Sequence, residues 1–257
     1  MKDYVLELAL KQSGMNAKLN AMREYLQAYI LRIMHDKGVF STTAFVGGTA
    51  LRFLHGLPRF SEDLDFSAEK GKTLPFAELM KIIKQELSFA GYNIVVTFTD
   101  EKTVNSAFIR FSGLMKDAGI SAFAEQKLSI KIEIDTNPPE GAVTETTVVN
   151  KYFPLSFLTY EKESFFAGKL HAILSRKYTK GRDFFDLGWY LSRWSGIKPN
   201  INLLTNALKQ SGWKKEFPTA KTWCSIVQQA VNKVNWTKVK KDVENFLERP
   251  QDLSVFT

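Results

Sequence analysis

The chain has 257 residues, 44% of them hydrophobic and 24% charged, with a net charge of +8. That composition suits a folded protein rather than a disordered one, and the length allows one large domain or two modest ones. A single cysteine, Cys224, excludes an internal disulfide; histidines 35, 55 and 171 are too few and scattered for a zinc set; and no run of about 18 apolar residues is available to span a membrane.

The N-terminal stretch MKDYVLELALKQSGM is charged throughout and lacks the apolar core of a signal peptide, so a cytoplasmic protein without a membrane partner is expected. The positive charge is uneven. Between Lys198 and Arg249 stand ten basic and four acidic residues. The excess favours a polyanionic partner such as nucleic acid, although a solvated basic face has the same composition.

Residues 16 to 37 carry Leu19, Met22, Leu26, Ile30, Ile33 and Met34 at three- and four-residue steps, which predicts an amphipathic helix stopped by Gly38. TTAFV follows as a short buried strand closing at Gly47 and Gly48, then TALRFLHG as a short helix ended by Gly56 and Pro58. DLDFSA reads as a strand and PFAELMKIIKQELSFAG as a second helix. Three strand-like runs come next, YNIVVTF, VNSAFIRFSG and KLSIKIEID. The last alternates strictly between apolar and polar positions, and VTETTVV is expected to add an edge strand.

From about Leu155 the pattern becomes helix after helix, at roughly 157–179, 183–195, 201–211, 219–234 and 237–248, separated by prolines and glycines. The expectation is therefore an α+β protein, with a mixed-sheet domain over residues 1–155 and an all-α domain over 156–257.

Asp63 and Asp65 stand at i and i+2 on a strand and so project from one face. Two carboxylates that close repel unless a cation or a solvated cleft compensates, and Mg²⁺ suits such a pair together with substrate phosphates. Glu133 and Asp135, on the polar face of KLSIKIEID, each offer a third carboxylate. The Gly47–Gly48 turn lets the backbone approach a triphosphate, with the amides of the following helix and the hydroxyl of Thr49 directed at phosphate. An ordinary surface strand behind a strand-to-helix turn would read similarly.

In FFAGKLHAILSRKYTKGRDFFDL, Lys169, Arg176, Lys177 and Lys180 fall on one helical stripe, and Asp183 and Asp186 share a face at the start of the next helix. A solvated basic face with an Asp183 cap is one account; a grip on a triphosphate is the other.

GGTALRFLHGLPRFSEDLDF resembles the first motif of the AbiEii/AbiGii toxin family, which includes the MenT toxins, and KIEI, AGKLHAILSR and RDFFDL resemble its later motifs in order. The resemblance covers about residues 40 to 190. It implies a DNA polymerase β-like nucleotidyltransferase fold in the first domain. By the same resemblance Gly48 and Thr49 occupy the glycine-serine turn, with Thr in place of Ser, and Arg59 and Ser61 match the R-x-S before D-x-D. Asp63 and Asp65 become metal ligands with Glu133, preferred to Asp135, as third. Lys169 and Asp183 become catalytic, flanked by Arg182 and Asp186. The implied reaction is Mg²⁺-dependent transfer of a nucleotide from an NTP to the 3′ end of tRNA, by the toxin of a toxin–antitoxin system whose partner is a winged-helix antitoxin. A protein or small-molecule acceptor, and a non-catalytic nucleotide- or RNA-binding module, are the alternatives.

Overall fold

The computed structural model describes residues 1–72, 75–176, 178 and 180–256, the side chains of 254–256 excepted. Two compact units are present, one formed by residues 1–56, 60–137 and 146–159, the other by 57–59, 138–145 and 160–257.

In the first unit, α1 (Lys2–Leu10) and α2 (Met15–Asp36) precede β1 (Thr43–Val46), α3 (Gly47–His55), β2 (Asp63–Ala68) and α4 (Phe76–Phe89). After them come β3 (Ile94–Thr99), β4 (Val104–Phe111), the short α5 (Leu114–Asp117), β5 (Leu128–Asp135), β6 (Thr144–Asn150) and β7 (Pro154–Tyr160). The strands form one mixed sheet in the order β3-β4-β5-β2-β1-β7-β6, with β2 parallel to β5, β1 parallel to β7, and β1 and β4 antiparallel to their other recorded neighbours.

Alternation decides which face is core. On β5, Leu128, Ile130, Ile132 and Ile134 are at most 1% exposed while the residues between them are half-buried, and each such side chain stabilises the fold by about 1.5–3 kcal/mol relative to an exposed one. β2 repeats the pattern with Leu64, Phe66 and Ala68 buried and Asp63, Asp65 and Ser67 on the opposite face. Phe40, Phe45, Phe66 and Phe157 pack as an aromatic cluster in this core.

The second unit holds α6 (Lys162–Ser175), α7 (Gly181–Arg193), α8 (Ile201–Gln210), α9 (Trp223–Val231) and α10 (Trp236–Val243). Phe166 stacks on Tyr190 at 5.0 Å and meets the edge of Trp223 at 5.6 Å. Asn200 caps α8 by accepting from the Leu203 amide, and it donates to the Gly141 carbonyl at 2.7 Å, which fastens the 138–145 segment. The Gly181 amide donates to Asp242 at 2.7 Å, so Asp242, not Asp183, serves the start of α7. A Cβ on Gly181 would lie 2.3 Å from the Val239 carbonyl oxygen, and the missing side chain is what lets α10 approach.

The α+β expectation holds, with three differences in detail. α1 was not expected. Residues 154–160 form a strand where a helix was expected from 157, because Leu155, Phe157 and Thr159 bury alternate positions and Thr159 pairs with Phe45. Finally, α6 stops at Ser175 and Arg176 is already extended (φ −69°, ψ 137°), which removes Arg176 and Lys180 from the expected helical stripe; Lys177 lies outside the described residues. Among the described residues no helix is long and apolar enough to cross a membrane.

Candidate active site

β1 ends at Val46, which pairs with Asp65 on β2, and the chain then turns into α3 through Gly47 at φ +80°. A Cβ on Gly47 would lie 2.2 Å from Asp65 Oδ2. The first glycine therefore answers two demands, a positive φ and room for a carboxylate laid against the backbone. Gly48 is buried in the first turn of α3. Thr49 is fully buried as well, and its hydroxyl donates to the Asp63 carbonyl. In this structure the Thr49 hydroxyl, expected from the sequence to be directed at phosphate, ties α3 to β2 and steadies the strand carrying the acids.

Asp63 and Asp65 share the half-buried face of β2. On the adjoining strand β5, Lys131 is level with Asp63 and Glu133 with Asp65, while Asp135 is one step further, level with Ser67. Glu133 takes Lys131 as an ion-pair partner at 2.7 Å. Burial pushes the Asp135 carboxyl above its ordinary range, against the pull of the Asn137 amide that donates to it at 2.9 Å. No group of three acids, histidines or cysteines among the described residues is arranged to hold a metal ion. What the face offers Mg²⁺ is a carboxylate pair one strand away from a third acid, a donor set that fits an ion completing its shell with water and phosphate oxygens.

A polar cluster that sequence reasoning did not single out supports this platform. Glu24 of α2 and Arg52 of α3, each 6% exposed, form a buried ion pair. Lys151 also pairs with Glu24, and the Tyr152 hydroxyl donates to it at 3.1 Å. Burial pushes Glu24 up, but Arg52 and Lys151 outweigh it and hold the carboxyl below its ordinary range. Arg52 also stacks on Phe60 at 3.9 Å, and Gln27 donates to the Ser61 carbonyl at 3.0 Å. Helices α2 and α3 thus fix residues 60 and 61, from which the chain runs into β2. Asn20, Glu24 and Gln27, polar at four- and three-residue steps along α2, were the signal available in the sequence.

The second unit gathers the later residues around Asp186, which is fully buried. Arg59 binds it with both arms of its guanidinium, Nε to Oδ1 at 2.6 Å and Nη2 to Oδ2 at 2.7 Å. Lys169 reaches Asp186 Oδ2 at 2.6 Å and Asp183 Oδ1 at 3.5 Å, and Arg176 closes on the other oxygen of Asp183. Burial alone would push the Asp186 carboxyl up; Arg59 and Lys169 overcome this and hold it below its ordinary range.

The resemblance puts Arg59 in the motif before the paired acids and Asp186 beside Asp183. At 2% and 0% exposure they are a buried clamp between the 57–59 segment and α7, because a planar guanidinium and a carboxylate satisfy each other where water is excluded. Arg182 lies over the Phe246 ring at 4.2 Å. A cavity of about 120 Å³ in this unit is lined in part by Arg176, Tyr178, Lys180, Asp183 and Lys233.

The sequence matches the family described as the nucleotidyl transferase AbiEii toxin of a type IV toxin–antitoxin system over residues 29–253. Among solved structures, a protein from H. pylori assigned as a nucleotidyltransferase has 20% identity and a TM-score of 0.51, covering 88% of this chain and 96% of its own. JHP933 from Helicobacter pylori has 20% identity and a TM-score of 0.48, covering 86% and 92%. No protein of curated description matches the sequence. With the family covering both units, the chain belongs to the AbiEii nucleotidyltransferase toxins.

Proposed function

We propose that this toxin transfers a nucleoside monophosphate from an NTP to an RNA hydroxyl, with the 3′ end of tRNA as acceptor, and that Asp63 and Asp65 hold the Mg²⁺ it requires. The observation that carries the reading is the carboxylate pair packed against the Gly47 turn, on one face of β2. Bound there, the ion would polarise the phosphates and offset charge that develops on phosphorus. The chain's own part is positional: Gly47 and the buried α3 fix Asp65, and the Thr49 hydroxyl fixes Asp63 through its carbonyl.

In the transfer, the acceptor oxygen bonds to the α-phosphorus and the bond from that phosphorus to the bridging oxygen breaks. Pyrophosphate departs with the bonding pair, and the hydroxyl proton passes to a carboxylate or to water. The start of α3, with Gly47 and Gly48, would meet the triphosphate through backbone amides. Ser61 belongs to the same proposal. Within the second unit, Lys169, Arg176, Arg182 and Asp183 are proposed as a phosphate-binding group of their own, a reading supported by the basic cavity that Arg176 and Asp183 line. The family implies an antitoxin partner; its winged-helix form is part of this proposal.

The test is incubation of the protein with each of the four α-³²P-labelled NTPs, Mg²⁺ and total tRNA. Label in tRNA is the expected result. Label only in a protein band or a soluble small molecule would replace the RNA acceptor, and no label in any product would overturn the transferase reading for these residues.

A further inference from the structure

The sheet face that carries Asp63 and Asp65 continues across β5, β4 and β3, and the strand register orders what it displays. Level with Asp63 lie Lys131, Phe108 and Thr97; level with Asp65 lie Glu133, Ser106 and Thr99. One step towards the start of β5 come Ser129, Arg110 and Val95. Basic and aromatic groups thus collect beside Asp63, whereas Glu133 and Asp135 occupy the other end.

Phe108 is 37% exposed, a wet position for a ring in the middle of a strand. It is flanked by two cations, the Arg110 guanidinium at 4.9 Å from the ring centroid and the Lys131 ammonium at 5.7 Å. Lys131 is balanced by Glu133. Arg110 donates to the Thr97 hydroxyl at 2.8 Å, and no carboxylate among the described residues forms a salt bridge with it. An exposed ring beside a cation without a counter-charge is the chemistry that receives single-stranded nucleic acid, a base on the ring and a phosphate at the cation.

The direction of the reaction selects this side of the acids. In phosphoryl transfer the attacking and leaving oxygens lie roughly in line on opposite sides of phosphorus. The Gly47 turn, where the triphosphate is proposed to sit, adjoins β2 from the β1 side. The acceptor hydroxyl must then approach from the β5 side. Phe108 stands two strand spacings from Asp63 in that direction, roughly 10 Å, which suits a nucleotide just before the reacting end.

We propose that the β5–β4 face, with Phe108 as stacking surface and Arg110 as phosphate contact, is the site for the single-stranded 3′ end of the RNA acceptor. The proposal rests on the transferase reading above and adds the place of the acceptor to it. Because Phe108 lies on the exposed face, its replacement should leave folding intact, which a thermal melt verifies.

The experiment measures binding of a fluorescein-labelled single-stranded RNA 12-mer by anisotropy, and in parallel the KM for total tRNA and for NTP. Phe108→Ala should weaken RNA binding about tenfold, within the range for loss of one base stack, and Phe108→Trp should restore it. The same change should raise the KM for tRNA and not that for NTP. Arg110→Gln should weaken binding and lower its salt dependence by about one phosphate contact. Equal RNA binding by wild type and Phe108→Ala, or no binding by either, overturns the proposal. Transfer of label by both proteins in that case would leave the transferase reading standing, so the two failures can be told apart.

Discussion

Gly47→Ala is expected to lower nucleotide transfer about 100-fold or more, the scale of loss when a reacting group is displaced by about 1 Å. At φ +80° an alanine is strained by about 1–2 kcal/mol. The larger effect is spatial, because its methyl would overlap Asp65 Oδ2 at 2.2 Å. Either α3 shifts or the carboxylate swings away, and both spoil the pair on β2. Steady-state transfer assays with circular dichroism distinguish the outcomes: the expected variant is folded and inactive. A folded variant of wild-type activity would mean that Asp65 need not lie where it does.

The second large effect concerns stability. Asp186→Ala should cost about 3–5 kcal/mol, the usual penalty for breaking a buried ion pair by removing one member, since the buried Arg59 guanidinium loses both of its contacts to that carboxylate. Lys169 keeps Asp183 and suffers less. All five tryptophans, at 189, 194, 213, 223 and 236, belong to the second unit, so tryptophan fluorescence during urea unfolding reports on that unit directly. A loss below about 1 kcal/mol would place the pair among weak surface bridges and contradict the account.

The same carboxylate predicts a pH dependence. Its folded-state pKa lies below the ordinary value of 3.8, so its stabilising contribution is fully present above that value and is lost as pH falls through the folded one. Wild type should therefore lose stability on acidification below about pH 4, and Asp186→Ala should lose less over the same interval.

Much of this architecture was legible in the chain. Strict alternation in LSIKIEID and DLDFSA declared both strands and the face each buries, because a period of two leaves no other consistent choice. The Gly-Gly turn and the paired aspartates were visible for the same local reason. β7 was hidden because LSFLTYEKESFF, residues 155–166, holds no proline or glycine to separate strand from helix, and only the pairing with β1 decides the matter.

Partners distant in sequence were hidden more completely. Nothing in the local pattern says that Arg59 meets Asp186 127 positions away, or that the Thr49 hydroxyl is spent on a backbone carbonyl. Motif spacing identifies residue types that could touch a nucleotide; burial then separates those available to one from those that hold the fold. Arg59, Thr49 and Asp186 are buried and partnered within the fold; Asp183, buried as well, lies against the cavity that Arg176 lines. Asp63 and Asp65 remain half-buried on an outward face.

That pair carries the central claim, and the most direct measurement is transfer of α-³²P label from NTP to RNA by Asp63→Asn and Asp65→Asn beside wild type. The substitution keeps shape and removes charge. The account predicts label transfer by wild type, and by either variant only the level seen without protein, with unchanged melting curves. Transfer at the wild-type rate by either folded variant would contradict it.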